Sequence, residues 1–130
     1  MSRIAVLGAG AMGSAAAVLL ARHSEVDLLV VDVDASRAAK VAERAGAQAQ
    51  PLDPDESVAS VLKDVSAVAA CLPYRLNLEV MEAALAAGTH YADLGGLYHV
   101  TLKQWELDPR FREAGLSAVM GIGSDRKSVV

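Results

Sequence analysis

Short apolar runs alternate along the chain with stretches in which apolar residues recur at helical spacing. The runs from Ile4 to Leu7, Asp27 to Val31, Ala47 to Gln50, Val65 to Leu72, Thr89 to Asp93 and Ser117 to Met120 have strand length, predicting six strands. Several are apolar throughout, as strands must be when helices cover both of their faces. Between them, Asp34 is placed to cap a helix with Ala38, Val41, Ala42 and Ala45 on one face, ending at Gly46. Asp53, Pro54 and Glu56 form a second start signal, with proline at the first helical position and a carboxylate three residues after the cap. A third helix is predicted from Asn77 to Ala87, before Gly88. Leu97 to Gly115 reads as two short helices, because Asp108-Pro109 interrupts the pattern. Successive βα units predict an α/β fold, a doubly wound parallel sheet. No internal repeat or linker divides it.

Composition narrows this picture. The chain has 130 residues, 53% hydrophobic and only 4% aromatic, so its core is built of small side chains that let helices lie close to a sheet. A net charge of −4 and the absence of a Lys/Arg run argue against nucleic acid or an anionic membrane as partners. The uncharged stretch from Ile4 to Ala21 is diluted by glycine and alanine, so it is expected to be neither signal peptide nor membrane span. Cys71 stands alone in an apolar run, the setting of a small buried hydrophobe, and a reducing, cytoplasmic location is expected.

The most informative segment is Gly8-Ala9-Gly10-Ala11-Met12-Gly13, a G-x-G-x-x-G pattern between a predicted strand and a predicted helix. Gly8 permits a tight turn, Gly10 lets the backbone approach a pyrophosphate, and Gly13 lets the helix pack on the strand. The free N–H groups and positive dipole end of that helix then face phosphate. Asp32 ends the second strand nineteen positions after Gly13, where a carboxylate can accept from the adenosine ribose hydroxyls. Strand, glycines, helix, strand and acid in that order define a Rossmann dinucleotide-binding unit. A carboxylate at Asp32 repels a 2′-phosphate, so NAD is expected as cofactor, with NADP as the second possibility because Arg37 lies five residues on. Since ligands lie at the carboxyl ends of parallel strands, Pro73 and Tyr74 at the end of the fourth strand are candidates for the nicotinamide side and Asp53 for the adenine side, with Leu72 a further cofactor-binding candidate at that strand end. No metal cluster is expected.

With the stretch Tyr91-Ala92-Asp93-Leu94-Gly95-Gly96 ending its fifth strand, the chain resembles the saccharopine dehydrogenase-like family, which includes lysine 6-dehydrogenase. The resemblance spans residues 3 to 124 and takes in the glycine turn, Asp32, Asp53, Leu72-Pro73, Asp93 to Gly96, and Gly121-Ile122-Gly123 after the sixth strand. It implies NAD(P)-linked redox chemistry at a carbon–nitrogen bond of an amino acid or its conjugate. It also makes Asp93 the candidate group facing substrate or nicotinamide. A capping role beside the Gly-Gly turn is the competing account of that residue.

The resemblance breaks off where family members continue with a Pro-Gly that opens a helix into the substrate domain. Here the chain reads Ser124-Asp125-Arg126-Lys127-Ser128-Val129-Val130. Residues 125 to 130 match, residue for residue, the translation of a widely used sequencing adapter, so a non-native tail is expected there. Residues 1 to 124 are then a Rossmann domain lacking its substrate domain. The fragment is expected to be inactive alone, to reach its amino-acid substrate only through the missing domain, and to belong to an enzyme that is open to homo-oligomerisation. The alternative function is a stand-alone NAD(H)-sensing module without catalysis.

Overall fold

The computed structural model describes residues 2–96 and 98–122. Six strands, β1 (Arg3–Leu7), β2 (Asp27–Asp32), β3 (Gln48–Pro51), β4 (Ala67–Ala70), β5 (His90–Asp93) and β6 (Ala118–Val119), form one sheet in the order β3-β2-β1-β4-β5-β6. Every neighbouring pair is parallel. The chain winds outward from β1 to β3, returns to β4 beside β1, and winds out again to β6. This order reverses direction between β1 and β4, leaving a crevice at their carboxyl ends.

Helix α1 (Ala11–His23) links β1 to β2, and α2 (Ala35–Ala45) links β2 to β3. Asp34 caps α2 by accepting from the Arg37 N–H, and Gly46 ends it in the left-handed conformation with φ 66°. Helix α3 (Asn77–Ala87) joins β4 to β5, while α4 (Tyr98–Trp105) and α5 (Asp108–Ala114) lead to β6. Two cores result. Val6, Val30, Ala38 and Val41 pack beneath α1 and α2, whereas Leu7, Leu62, Val68, Met81 and Phe111 fill the opposite face.

Three expectations need correction. Asp53 does not start an α-helix: its carboxylate accepts from the Asp55 N–H at 2.9 Å, two residues on, which closes a local turn. Ser57 caps instead a single 3-10 turn, Val58–Val61, whose buried Val58 and Val61 plug the core. The strand expected over Val65 to Leu72 pairs only over Ala67–Ala70, and that over Ser117 to Met120 only over Ala118–Val119. Apolar residues beyond those limits pack on the core without joining the ladder. Residues 97 and 123 to 130, which include Gly123, Ser124 and the expected non-native tail, lie outside the described residues.

No helix among the described residues is long and apolar enough to cross a membrane. Leu62 is fully buried in the α3-side core, so Leu62→Ala is expected to cost about 2–5 kcal/mol of unfolding free energy. Val119→Ala, at a half-exposed position on the edge strand, is expected to stay within about 0.5 kcal/mol. Urea unfolding of both variants checks the pair.

Candidate dinucleotide-binding site

The glycine turn closes over the end of β1. Gly8 has φ 101°, and a Cβ there would stand 2.5 Å from the Cys71 carbonyl oxygen at the end of β4. A Cβ on Gly13 would fall 1.8 Å from the Gly8 carbonyl oxygen. Both positions are therefore closed to any side chain, because backbone would have to move to admit one. Gly10 differs. No atom lies within 4 Å of where its Cβ would be, so the space above it is open.

That opening sits at the start of α1. Gly10 is the N-cap residue and offers no side-chain cap, and the first turn has no acidic side chain. The N–H groups of Ala11, Met12 and Gly13 belong to the first turn, which has no earlier carbonyl to bond within the helix. The residues present thus fit a pyrophosphate: an unobstructed approach at Gly10, uncapped donors, and a positive dipole end.

Asp32 ends β2 next to this turn. One carboxylate oxygen accepts from the Ala9 N–H at 2.8 Å and the other from the Asp34 N–H at 2.8 Å. Since an ionised carboxylate offers about four lone-pair sites, each oxygen keeps capacity for a further donor such as a hydroxyl. Beyond Asp32 opens a cavity of about 450 Å³ whose wall includes Val33, Arg37, Leu52, Asp53, Leu72 and Pro73. The structure therefore brings Asp32, Asp53, Leu72 and Pro73 to one cavity at the strand ends, with Gly8, Gly10, Ala11, Met12 and Gly13 beside it. A larger cavity of about 660 Å³ lies along β6, α4 and α5, and none of Asp32, Asp53, Leu72 and Pro73 lines it.

Asp93 is 2% exposed, and its carboxylate accepts from Gly95 N–H at 2.8 Å, Gly121 N–H at 2.9 Å, Tyr91 hydroxyl at 2.6 Å and Gln104 Nε2 at 2.8 Å. Its lone pairs are all used by the chain's own donors, the arrangement that the competing capping account describes. Burial, followed by the hydrogen bond and charge of Asp93, pushes the Tyr91 phenol far above its ordinary value. Burial likewise raises the Cys71 thiol and keeps it protonated, consistent with packing rather than nucleophilic chemistry. Among the described residues no group of His, Cys, Asp and Glu can hold a metal ion.

Gln104 was not singled out from sequence, although a signal exists. Val100, Gln104, Leu107 and Phe111 follow one helical stripe, and a polar residue on such a stripe needs a buried partner.

Glycine turn, a carboxylate ending β2 beside it and a switch-point crevice define a Rossmann domain that binds NAD(P), of the kind that dehydrogenases carry. The family described as the saccharopine dehydrogenase NADP binding domain matches residues 4–119, and the chain belongs to it. Carboxyaminopropylagmatine dehydrogenase of Synechocystis sp. is 27% identical, over 96% of this chain and 35% of its own length. Saccharopine dehydrogenase (L-Glu forming) from Saccharomyces cerevisiae has the same fold, with a TM-score of 0.82 at 23% identity over 95% of this chain and 27% of that one. GenD2 from gentamicin A biosynthesis, solved in complex with NAD, superposes with a TM-score of 0.73 at 27% identity, covering 92% of this chain and 34% of that one. The chain spans 27% to 35% of the length of these relatives. Its membership of the saccharopine dehydrogenase NADP binding domain family places it in an oxidoreductase family.

The contacts of the glycines predict different costs of substitution. Gly13→Ala is expected to destabilise the fold by about 1–3 kcal/mol through forced backbone displacement. Gly10→Ala should leave the melting temperature close to that of the unaltered chain, since its side chain enters open space. Thermal melts of the two variants distinguish these outcomes.

Proposed function

We propose that this chain is the cofactor-binding part of a dehydrogenase acting on a carbon–nitrogen bond of an amino acid or its conjugate. The observation carrying the cofactor half is the pairing of Asp32 with the Ala9 N–H, which holds the acid at the rim of the turn whose Gly10 is open. Ala11, Met12 and Gly13 donate to the pyrophosphate, Asp32 accepts from the adenosine ribose, and Asp53, Leu72 and Pro73 bound the cavity it enters. The cofactor supplies hydride transfer, and the protein supplies orientation and electrostatics. The substrate class rests on the relatives: one is named for an amine-bearing molecule and the other for forming L-Glu.

NAD(H) is the preferred cofactor. The cavity beyond Asp32 is lined by four carboxylates, Asp32, Asp53, Glu56 and Glu79, against one cation, Arg37. A 2′-phosphate entering there meets net repulsion, and Arg37 offsets only part of it. Titration followed by NADH and NADPH fluorescence is expected to give at least about ten-fold tighter NADH binding, near the 1.4 kcal/mol that one charge-assisted hydrogen bond can supply. Asp32→Ala should narrow that gap. Equal or tighter NADPH binding that ignores Asp32→Ala would refute the preference.

Turnover requires substrate fixed against the nicotinamide in a water-excluded cleft, and proper positioning is worth roughly 7–11 kcal/mol in the most favourable cases. We place the opposite wall of that cleft in a substrate domain. The 130-residue chain is accordingly expected to bind NADH yet give no NADH formation from lysine, saccharopine or related amines. Robust turnover by this chain would contradict the two-domain reading. Deleting the tail, residues 125 to 130, is expected to change neither the melting temperature nor NADH affinity.

A further inference from the structure

Three of the four most deeply buried polar side chains among the described residues are Asn77, Asp93 and Gln104, and all three residues lie around the Tyr91 hydroxyl. That hydroxyl is 2.6 Å from Asp93 Oδ2, 3.3 Å from Gln104 Nε2 and 3.3 Å from the Asn77 carbonyl oxygen. Burying a carboxylate costs heavily unless every lone pair is met. Here it is met by neutral donors from four places in the chain: β5 itself, α4, the turn after β5 and the turn after β6.

The two oxygens have different tasks. Oδ2 receives Tyr91 and Gln104, which fix the carboxylate against α4. Oδ1 gathers the Gly95 and Gly121 N–H groups, and the Asp93 carbonyl accepts from the Ile122 N–H at 3.1 Å. The end of β5 is thereby tied to the chain leaving β6. The contact is close: a Cβ on Gly95 would stand 2.8 Å from the Gly121 Cα. Gly96 lies in turn against Tyr74, since a Cβ there would be 2.2 Å from the Tyr74 Cβ. A continuous line of contact therefore runs from Gln104 through Asp93 and the Gly95-Gly96 turn to Tyr74, next to Pro73 on the cavity wall.

Tyr74 and the Gly95-Gly96 turn follow the carboxyl ends of β4 and β5. Asp32 ends β2 on one side of the glycine turn, and the 450 Å³ cavity runs from it across the crevice to Leu72, Pro73 and Glu79 beyond β4. A dinucleotide with its pyrophosphate on that turn and one ribose on Asp32 must lay its other half over β4 and β5.

We propose that Gln104 and Asp93 are positioning residues for the nicotinamide half of the cofactor, holding the Gly95-Gly96 turn and Tyr74 in place without touching the ligand. The proposal rests on the dinucleotide reading above. It separates the roles of the two ends of the sheet: Asp32 binds directly, whereas Asp93 shapes the wall from beneath.

Parallel titrations of the 130-residue chain with NADH and with ADP-ribose, which has no nicotinamide, test it. Asp93→Asn keeps an acceptor for Gly95 and Gly121 but turns an amide donor towards the Tyr91 and Gln104 donors. It is expected to weaken NADH about three- to ten-fold, as loss of a buried charge-assisted hydrogen bond transmitted through the turn, with ADP-ribose unchanged within about two-fold. Combining it with Gln104→Glu restores donor–acceptor complementarity, because the new carboxylate at 104 accepts from the new amide at 93. NADH affinity should then recover. Should Asp93→Asn fail to fold, Gln104→Leu leaves the Gly95 and Gly121 bonds in place and is expected to cause a smaller, still NADH-specific loss. Equal weakening of both ligands, or no recovery in the double variant, would overturn the proposal. Absence of binding of both ligands to the unaltered chain would overturn the dinucleotide reading and this proposal with it.

Discussion

The site depends on how closely three pieces of backbone meet at Gly8, Gly13 and Cys71. The Gly8 carbonyl lies where a Gly13 side chain would be, and the Cys71 carbonyl where a Gly8 side chain would be. That approach brings the start of α1 down onto the crevice between β1 and β4, so that its first-turn donors open onto the crevice. Asp32 then secures the arrangement by bonding the Ala9 N–H, which connects β2 to the same turn. The small side chains that dominate the composition are the means to this end. Larger residues on α1 or β4 would hold the helix off the sheet and move its donors away from the phosphate position.

Two kinds of electrostatic work are divided across the switch point. On the β1-β2-β3 side, Asp32 is partly exposed and retains lone pairs, and the surrounding carboxylates outnumber Arg37. On the β4-β5-β6 side, Asp93 is buried and its lone pairs are all used by Tyr91, Gln104 and the Gly95 and Gly121 N–H groups, so it organises its own surroundings. Both are aspartates ending a parallel strand. What separates their roles is which donors reach them first.

Much of this was legible in the residues because the signals are local. The glycine turn, the Asp34 cap, the helix ends at Gly46 and Gly88 and a parallel sheet of six strands follow from spacing and turn chemistry. Asp53 misled because the same Asp-Pro-x-Glu pattern that starts a helix also closes an Asx turn, and Ser57 supplies the cap of the short 3-10 turn that follows. Asp93 was ambiguous for a different reason. Its two most telling partners, Gly121 and Gln104, lie 28 and 11 residues away, and no local pattern announces that they converge on it. Gln104 gave only the indirect sign of a polar residue on an apolar stripe.

The central claim is that a dinucleotide lies across the glycine turn with its adenosine ribose on Asp32. Backbone amide chemical shifts of the 130-residue chain, followed by NMR as NADH is added, test this most directly. The account predicts the largest shifts at Ala9, Gly10, Ala11, Met12 and Gly13, with a second set at Asp32, Val33 and Asp34. Saturable NADH binding that leaves those amides unmoved while shifting residues along β6, α4 and α5 would contradict it.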